Sequence, residues 1–237
     1  MRLDKYIVDN FGYTRSRAID LIKVGSVYVN GEVVLKPSKQ VSETDKIKIN
    51  DKLKYVSRAG VKLEEAINYF NLDFKDKTVL DVGSSTGGFT EVSLKYGAKT
   101  VYAYDVGKDQ MDEELRKDKR IHLFEQTNIL SADVKEVDIC LIDVSFVSIK
   151  PIIKHLKGKA KVYVMLFKPQ FEVGPDNLYG GIIKNEKVLK EAILSFKEFL
   201  KEEEINLRDY LQVSLKGKKG NQEYIFIGDM NVRKDNN

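Results

Sequence analysis

Apolar positions recur along this chain in two different periods, and the point where the pattern changes divides it. From Lys5 to Val24 the apolar positions Ile7, Val8, Phe11, Ala18, Leu21 and Ile22 fall at helical spacing, interrupted by Gly12. Two short helices are predicted, the second capped by Thr14 or Ser16 with Arg15 and Arg17 in its first turn. Cations there oppose the helix dipole, which suggests another use for them. VYVNGEVV (27–34) is two alternating runs around Asn-Gly, a hairpin signal, and DKIKIND (45–51) supplies a further strand. These pieces predict a small α+β module over residues 1–53, followed by a linker at 54–60.

Beyond the linker the pattern predicts a second domain over 61–231. A helix opens it at VKLEEAINYF (61–70). Strands are predicted at 78–83, 100–107, 120–125, 137–145 and 161–167. Helices are predicted through Leu94, at about 109–117, after 145, and at 187–203. Near-continuous apolar strands alternating with amphipathic helices specify an α/β, doubly wound, mostly parallel sheet. YLQVSL and EYIFIG around GKKGN predict a terminal antiparallel hairpin, and the tail at 232–237 is expected to be disordered. No internal repeat is present.

Composition narrows the class. The chain has 237 residues, enough for one large and one small domain, and 42% are hydrophobic. No run approaches the ~18 apolar residues of a membrane span, and the N-terminus lacks a signal-peptide core. A single cysteine, Cys140, excludes an internal disulfide framework and fits a reducing compartment, so a cytoplasmic protein is expected. Cys140 lies mid-strand and reads as a core residue. With His122 and His155 it makes no metal-ligating set, and no metal is expected. The net charge of +4 is unevenly placed: residues 1–60 hold 12 Lys and Arg against 7 Asp and Glu, and the other 177 hold 28 against 29. A basic module on a neutral body suits an anionic polymer, held through its phosphates. GKKG (217–220) reads as a solvated hairpin tip or as an RNA contact.

The stretch VLDVGSSTGGFTEV (79–92) runs from a strand into a glycine-rich turn. The dinucleotide fingerprint G-x-G-x-x-G fails because Ser85 stands at its middle glycine. The P-loop pattern fails because Phe89 and Thr90, not lysine, follow Gly88. Asp105, on the next strand, is placed to accept hydrogen bonds from ribose hydroxyls. A ligand with a ribose and no pyrophosphate fits, and S-adenosylmethionine has both properties. Its carboxylate and ammonium would meet the turn from Gly83 through Ser84, Ser85, Thr86, Gly87, Gly88, Phe89 and Thr90. Asn128 and Ile129 would meet the adenine. The structural alternative is a tight strand–helix turn with a surface aspartate.

The ordered motifs LDVGSSTGGFTE, VYAYDVG, LIDVSF, LFKPQFE and KGNQEYIFI resemble the TlyA family of RNA 2′-O-methyltransferases, often labelled haemolysins. The catalytic domain is similar to FtsJ/RrmJ-type class I methyltransferases. RLDKYI, TRSRA, IKVGSVYVNG and KPS resemble the RNA-binding domain named after ribosomal protein S-four. The similarity runs to about Gly228, and the two-domain combination is more specific than either part.

The resemblance implies a Lys-Asp-Lys-Glu tetrad at Lys62, Asp143, Lys168 and Glu223, with Asp143 also beside the cofactor. The strand pattern independently puts Asp143 and Lys168 at the C-terminal ends of adjacent strands, where open α/β sheets build sites. A ribose 2′-hydroxyl must lose its proton as it attacks the sulfonium methyl. A free lysine, pKa about 10.4, is a poor base at neutral pH. Burial and a neighbouring ammonium lower a lysine toward roughly 7–8, and adjacent carboxylates act the other way. Lys168 is expected as the base, with Lys62 as positioning donor and the two carboxylates orienting the amines. The methyl transfer is an in-line displacement, so positioning supplies much of the acceleration.

The expected activity is S-adenosylmethionine-dependent 2′-O-methylation of cytidine in ribosomal RNA. Arg2, Arg15, Arg17, Lys23 and Arg58 would anchor the RNA, and a flipped-out nucleotide would present its ribose. The family's shorter-ended members favour the large subunit and longer ones modify both; the start of this chain close to its RNA-binding module favours the large-subunit RNA (23S), with 16S as the alternative. Two other classes are a non-catalytic RNA-binding protein that holds the cofactor and a membrane-active haemolysin. The lack of a spanning run, a signal peptide and a basic amphipathic face counts against the latter.

Overall fold

The computed structural model describes residues 1–51 and 53–230; residues 52 and 231–237, which include the tail expected to be disordered, lie outside them. The first helices are α1 (Leu3–Phe11) and α2 (Arg15–Lys23). Gly12, at φ +71°, ends α1 in the left-handed conformation, and the Thr14 hydroxyl caps α2 by accepting from the Arg17 N–H. β1 (Val27–Val29) pairs antiparallel with β2 (Glu32–Val33) across Asn30-Gly31 and with β3 (Ile47–Ile49) on its other side. Leu3, Ile7, Ala18, Leu21, Ile22, Val27 and Val29 make a separate small core.

The larger unit begins with α3 (Arg58–Phe70) and continues with β4 (Thr78–Val82), α4 (Gly88–Lys95), β5 (Thr100–Tyr104), α5 (Glu113–Arg116) and β6 (Ile121–Phe124). β7 (Val137–Ile142), α6 (Lys150–His155), β8 (Ala160–Phe167), α7 (Glu186–Glu202), β9 (Ile205–Gln212) and β10 (Tyr224–Met230) complete it. The seven-stranded sheet has the order β6-β5-β4-β7-β8-β10-β9. β4 to β8 are parallel, and β10 inserts antiparallel between β8 and the edge strand β9. Period-two alternation divides each central strand between two cores. Leu80, Cys140, Ile142, Met165 and Phe167 face α6 and α7, whereas Val79, Ile139, Leu141, Val164 and Leu166 face α3 and α4. This is why the central strands read as continuous apolar runs. The chain reverses its winding between β4 and β7, and that switch opens a crevice at their C-terminal ends.

Three local expectations are corrected. α3 starts at Arg58, so residues 58–60 of the expected linker are helical. Gly60, taken as a linker glycine, is there because a Cβ would lie 2.7 Å from the Tyr55 side chain. The helix expected at about 109–117 shrinks to Glu113–Arg116, because Asp109 turns left-handed at φ +53° and Asp112 caps the helix at its start. β9 begins at Ile205 rather than near Tyr210, since pairing with β10 extends from Ile205 to Gln212.

Candidate active site

The turn after β4 is built by close backbone approach. Gly83 has φ +84°, and a Cβ there would lie 2.5 Å from the Asp143 carbonyl oxygen at the end of β7. A Cβ on Gly88 would lie 2.2 Å from Ser57 Oγ and 3.0 Å from the Gly60 nitrogen. These two glycines therefore press the turn against β7 on one side and against the start of α3 on the other. They bring Asp143 and Lys62 toward each other, and their close approach is to other parts of the protein: backbone of Asp143 for Gly83, and the Ser57 hydroxyl with the Gly60 backbone for Gly88.

All four tetrad residues line one cavity of about 560 Å³, together with Gly83, Ser84, Ser85, Thr86, Gly88 and Phe89 of the turn. Lys168 follows β8, and its Nζ lies 2.6 Å from Asp143 Oδ1 and donates a 2.7 Å hydrogen bond to Ser145 Oγ. On α3, Lys62 donates to the Glu223 carboxylate, which sits just before β10. Lys62, Lys168 and Glu223 are buried at 7%, 8% and 3% exposure. The site thus holds two lysine–carboxylate pairs, each joining separate elements. Charges this buried are tolerated because each meets an opposite partner.

Two further polar atoms on the wall, Ser84 Oγ and Gln170 Oε1, are buried without a hydrogen-bond partner. An unmade buried hydrogen bond costs about 1–3 kcal/mol, so these atoms are suited to a polar ligand. Sequence reading missed Gln170, and also Phe146 and Phe171. Phe146 is 85% exposed at φ +70°, with its ring 5.3 Å from that of Phe171 at the cavity wall. An aromatic in the loop that follows a strand's C-terminal end was the available signal for Phe146 and Phe171.

Other expected cofactor residues stand outside the cavity lining. Asp105 accepts from the Ser85 N–H at 2.8 Å and the Gly107 N–H at 2.7 Å, bracing the turn. Ser85 Oγ lies 3.1 Å from Gln110 Oε1, so Gln110 covers the side facing Asp105. Asn128 Oδ1 accepts from the Leu130 N–H at 3.0 Å, and Ile129 is buried in the core. Gly87, at φ +93°, faces Leu115 and Met111, and Thr90 donates at 2.6 Å to Asp81 Oδ2.

Asp81, on β4 behind the turn, is fully buried, and its Oδ1 has no hydrogen-bond partner. Burial, reinforced by the charges of Asp143 and Asp105 and opposed by the Thr90 hydrogen bond, pushes its carboxyl up to about 7. A raised carboxyl pKa means that the folded chain holds a proton the unfolded chain has released. Its stabilisation is complete below the unfolded value near 3.9 and is lost as pH rises to about 7. Asp81→Asn is therefore expected to gain on the wild type by a few kcal/mol between pH 4 and pH 8. Urea denaturation across that range checks this, and a difference that stays constant with pH would refute it.

The five expected RNA-contacting cations occupy two settings. Arg2 donates to Asp4 at 2.8–2.9 Å, and Arg15 Nε lies 3.8 Å from the same carboxylate. Arg17 bonds the Tyr55 carbonyl and Asp51, Arg58 Nε donates to Asp20 at 3.2 Å, and Lys23 Nζ donates to the Lys218 carbonyl at 2.6 Å. The cations that oppose the dipole of α2 thus have local carboxylate partners, and α2 forms a wall of the cavity that holds the tetrad through Ser16 and Asp20. His122 stacks on Tyr102, His155 Nε2 lies 3.2 Å from the Ala132 carbonyl, and Cys140 is buried. Among the described residues no group of three or more His, Cys, Asp or Glu could hold a metal, and no helix is long and apolar enough to cross a membrane.

An open, mostly parallel seven-stranded sheet with an antiparallel C-terminal pair and a glycine turn after its first strand is the build of a Rossmann-like methyltransferase. The chain belongs to the FtsJ-like methyltransferase family, whose model matches residues 55–230, and an S4 domain matches residues 1–47. It is 40% identical to Hemolysin A of Brachyspira hyodysenteriae, over 95% of this chain and 98% of that one. It is 32% identical to the 23S rRNA (cytidine-2′-O)-methyltransferase TlyA of Campylobacter jejuni, over 95% and 98% respectively. A solved structure labelled as a hemolysin, from Streptococcus thermophilus, superposes with a TM-score of 0.78 at 32% identity, covering 98% of this chain and 89% of the other.

Proposed function

We propose that this chain transfers a methyl group from S-adenosylmethionine to the ribose 2′-oxygen of a cytidine in ribosomal RNA, with the large-subunit RNA as first choice. The observation that carries the reading is the convergence of Lys62, Asp143, Lys168 and Glu223 on one cavity whose wall also carries the unpartnered buried atoms Ser84 Oγ, on the glycine turn, and Gln170 Oε1, after β8. The TlyA relative of Campylobacter jejuni, matched along nearly its whole length, supports cytidine and the 2′-oxygen. The basic N-terminal domain supports RNA.

The residues present fit the cofactor. Backbone and hydroxyls of Gly83–Thr86 would hold its amino-acid end, with Ser84 Oγ and Gln170 Oε1 supplying partners that no protein group now gives. Asp105 and Asn128 would reach the ribose and base once Gln110 moves aside. When bound, S-adenosylmethionine supplies a methyl group activated by its sulfonium. Lys168 Nζ, as the free amine after releasing its own proton to solvent, would receive the 2′-hydroxyl proton, held in position by Asp143 and Ser145. Lys62, held by Glu223, donates a hydrogen bond to the attacking oxygen and keeps it in line. The exposed ring of Phe146 offers a flat face for an extruded base.

The test is to incubate purified protein with each ribosomal subunit and labelled cofactor, digest the RNA with nuclease, and identify the product by mass spectrometry. A 2′-O-methylcytidine is expected. Absence of transfer to either subunit would sink the proposal, and methylation on a base would replace it with another methyltransferase activity.

A further inference from the structure

Three cations meet between the two domains without a matching set of anions. Lys23 ends α2 of the N-terminal domain, Arg58 begins α3 of the catalytic domain, and Lys218 lies in the GKKG segment between β9 and β10. The Lys23 ammonium reaches across to the Lys218 carbonyl at 2.6 Å, and Arg58 joins the same helix α2 through Asp20. Asp20 is the carboxylate in this cluster, and it is buried against Arg58 at 3.2 Å. Among the described residues, neither Lys23 nor Lys218 has a carboxylate within 4 Å. Burial, with the like charges of Arg58 and Lys218 against the single opposite charge of Asp20, holds Lys23 below the ordinary lysine range. Cations brought together at this cost are a site for an anion.

The cluster also adjoins the proposed reaction centre. Arg58 and Lys62 are four residues apart on α3, hence on one face of that helix. Lys218 and Glu223 lie in the same segment leading into β10. Arg58, Lys218 and Lys219 line the same cavity as the tetrad. The elements that hold the Lys62–Glu223 pair therefore also carry two of the three cations.

We propose that Lys23, Arg58 and the side chain of Lys218 form a seat for a backbone phosphate of the bound RNA, adjoining the nucleotide whose ribose enters the cavity. This rests on the RNA reading above, and it gives the GKKG segment a role. Seating the phosphate relieves the repulsion among the three cations. It also closes the N-terminal domain onto α3 and β10, and so registers the target ribose against Lys168.

The experiment measures binding of labelled ribosomal RNA to the full chain by filter retention at several potassium chloride concentrations, with melting temperature recorded in parallel. Lys218→Ala leaves intact the carbonyl that Lys23 uses, and so tests the side-chain charge alone. It is expected to weaken binding about 5–10-fold near 0.1 M salt and to lower the log–log salt slope by about one. Lys218→Glu is expected to weaken binding further while the melting temperature holds or rises, because a carboxylate there would satisfy Lys23 and Arg58. Unchanged affinity and slope in both variants would overturn the seat, as would affinity lost only in step with melting temperature. Wild type that binds no ribosomal RNA would overturn it together with the RNA reading. Wild type that binds RNA but transfers no methyl would remove the proposed reaction, with the seat still judged from the binding curves.

Discussion

Replacing Lys168 by arginine is expected to lower methyl transfer about 10²–10⁴-fold while S-adenosylmethionine affinity stays within about threefold, because that is the order of magnitude that proton acceptance at the proposed base would contribute. Arginine keeps the positive charge and can still pair with Asp143, now 2.6 Å from Lys168 Nζ. It remains charged at any working pH and cannot accept a proton. If Lys168 only balanced Asp143 or attracted the RNA phosphate, arginine would restore most of the activity. Lys168→Met removes the charge as well, leaves the Asp143 carboxylate unpaired, and is expected to be as inactive and less stable. Single-turnover transfer to ribosomal RNA, with cofactor binding followed by calorimetry, separates the cases. Lys168→Arg retaining more than about a tenth of wild-type turnover would remove the lysine from the role of base. Lys62→Arg supplies the contrast: a donor to the attacking oxygen tolerates another cation better than a base does.

Much of this arrangement was legible because its signals are periodic or local. The near-continuous apolar strands have a direct cause, since Val79 and Leu80, or Leu141 and Ile142, face opposite cores of the same sheet. Asn-Gly at 30–31 gave the hairpin because both residues take positive φ. Asp143 and Lys168 could be paired before the structure because parallel neighbours end at the same edge, and β7 and β8 are such neighbours. The insertion of β10 between β8 and β9 was not legible, because strand order depends on contacts far apart in sequence and leaves no local trace. For the same reason the pairing of Lys62 with Glu223, 161 residues apart, rested on resemblance alone. Gly60 and Gly88 show a different limit. Glycine marks close approach, but the sequence does not say whether the neighbour is a ligand or another part of the protein, and here it is Tyr55 for one and Ser57 for the other. The basic excess of residues 1–60 pointed toward RNA, while the partners of Arg17 and Arg58 show part of that charge holding the two domains together.

Gly83→Ala is expected to destabilise the fold by about 3 kcal/mol or more and to weaken S-adenosylmethionine binding more than tenfold. Two costs combine at this position. A non-glycine residue held at φ +84° carries about 1–3 kcal/mol of backbone strain. The added methyl would also lie 2.5 Å from the Asp143 carbonyl oxygen, a backbone atom that cannot rotate away. Relief requires the turn to separate from the end of β7, which moves Ser84 and Ser85 away from Asp143 and opens the wall they share. Gly158→Ala is the matched control, because Gly158 has φ +78° with nothing within 4 Å of its Cβ position. It retains the strain and lacks the collision, so it is expected to cost no more than about 1–2 kcal/mol and to leave cofactor binding unchanged. The difference between the two variants in urea denaturation isolates the contact between the turn and Asp143. Equal losses in both would mean that the glycine serves conformation alone. A stable Gly83→Ala protein with intact cofactor affinity would mean that the turn tolerates separation from β7, and the cofactor site would then have to be sought away from the wall that Gly83 and Asp143 share.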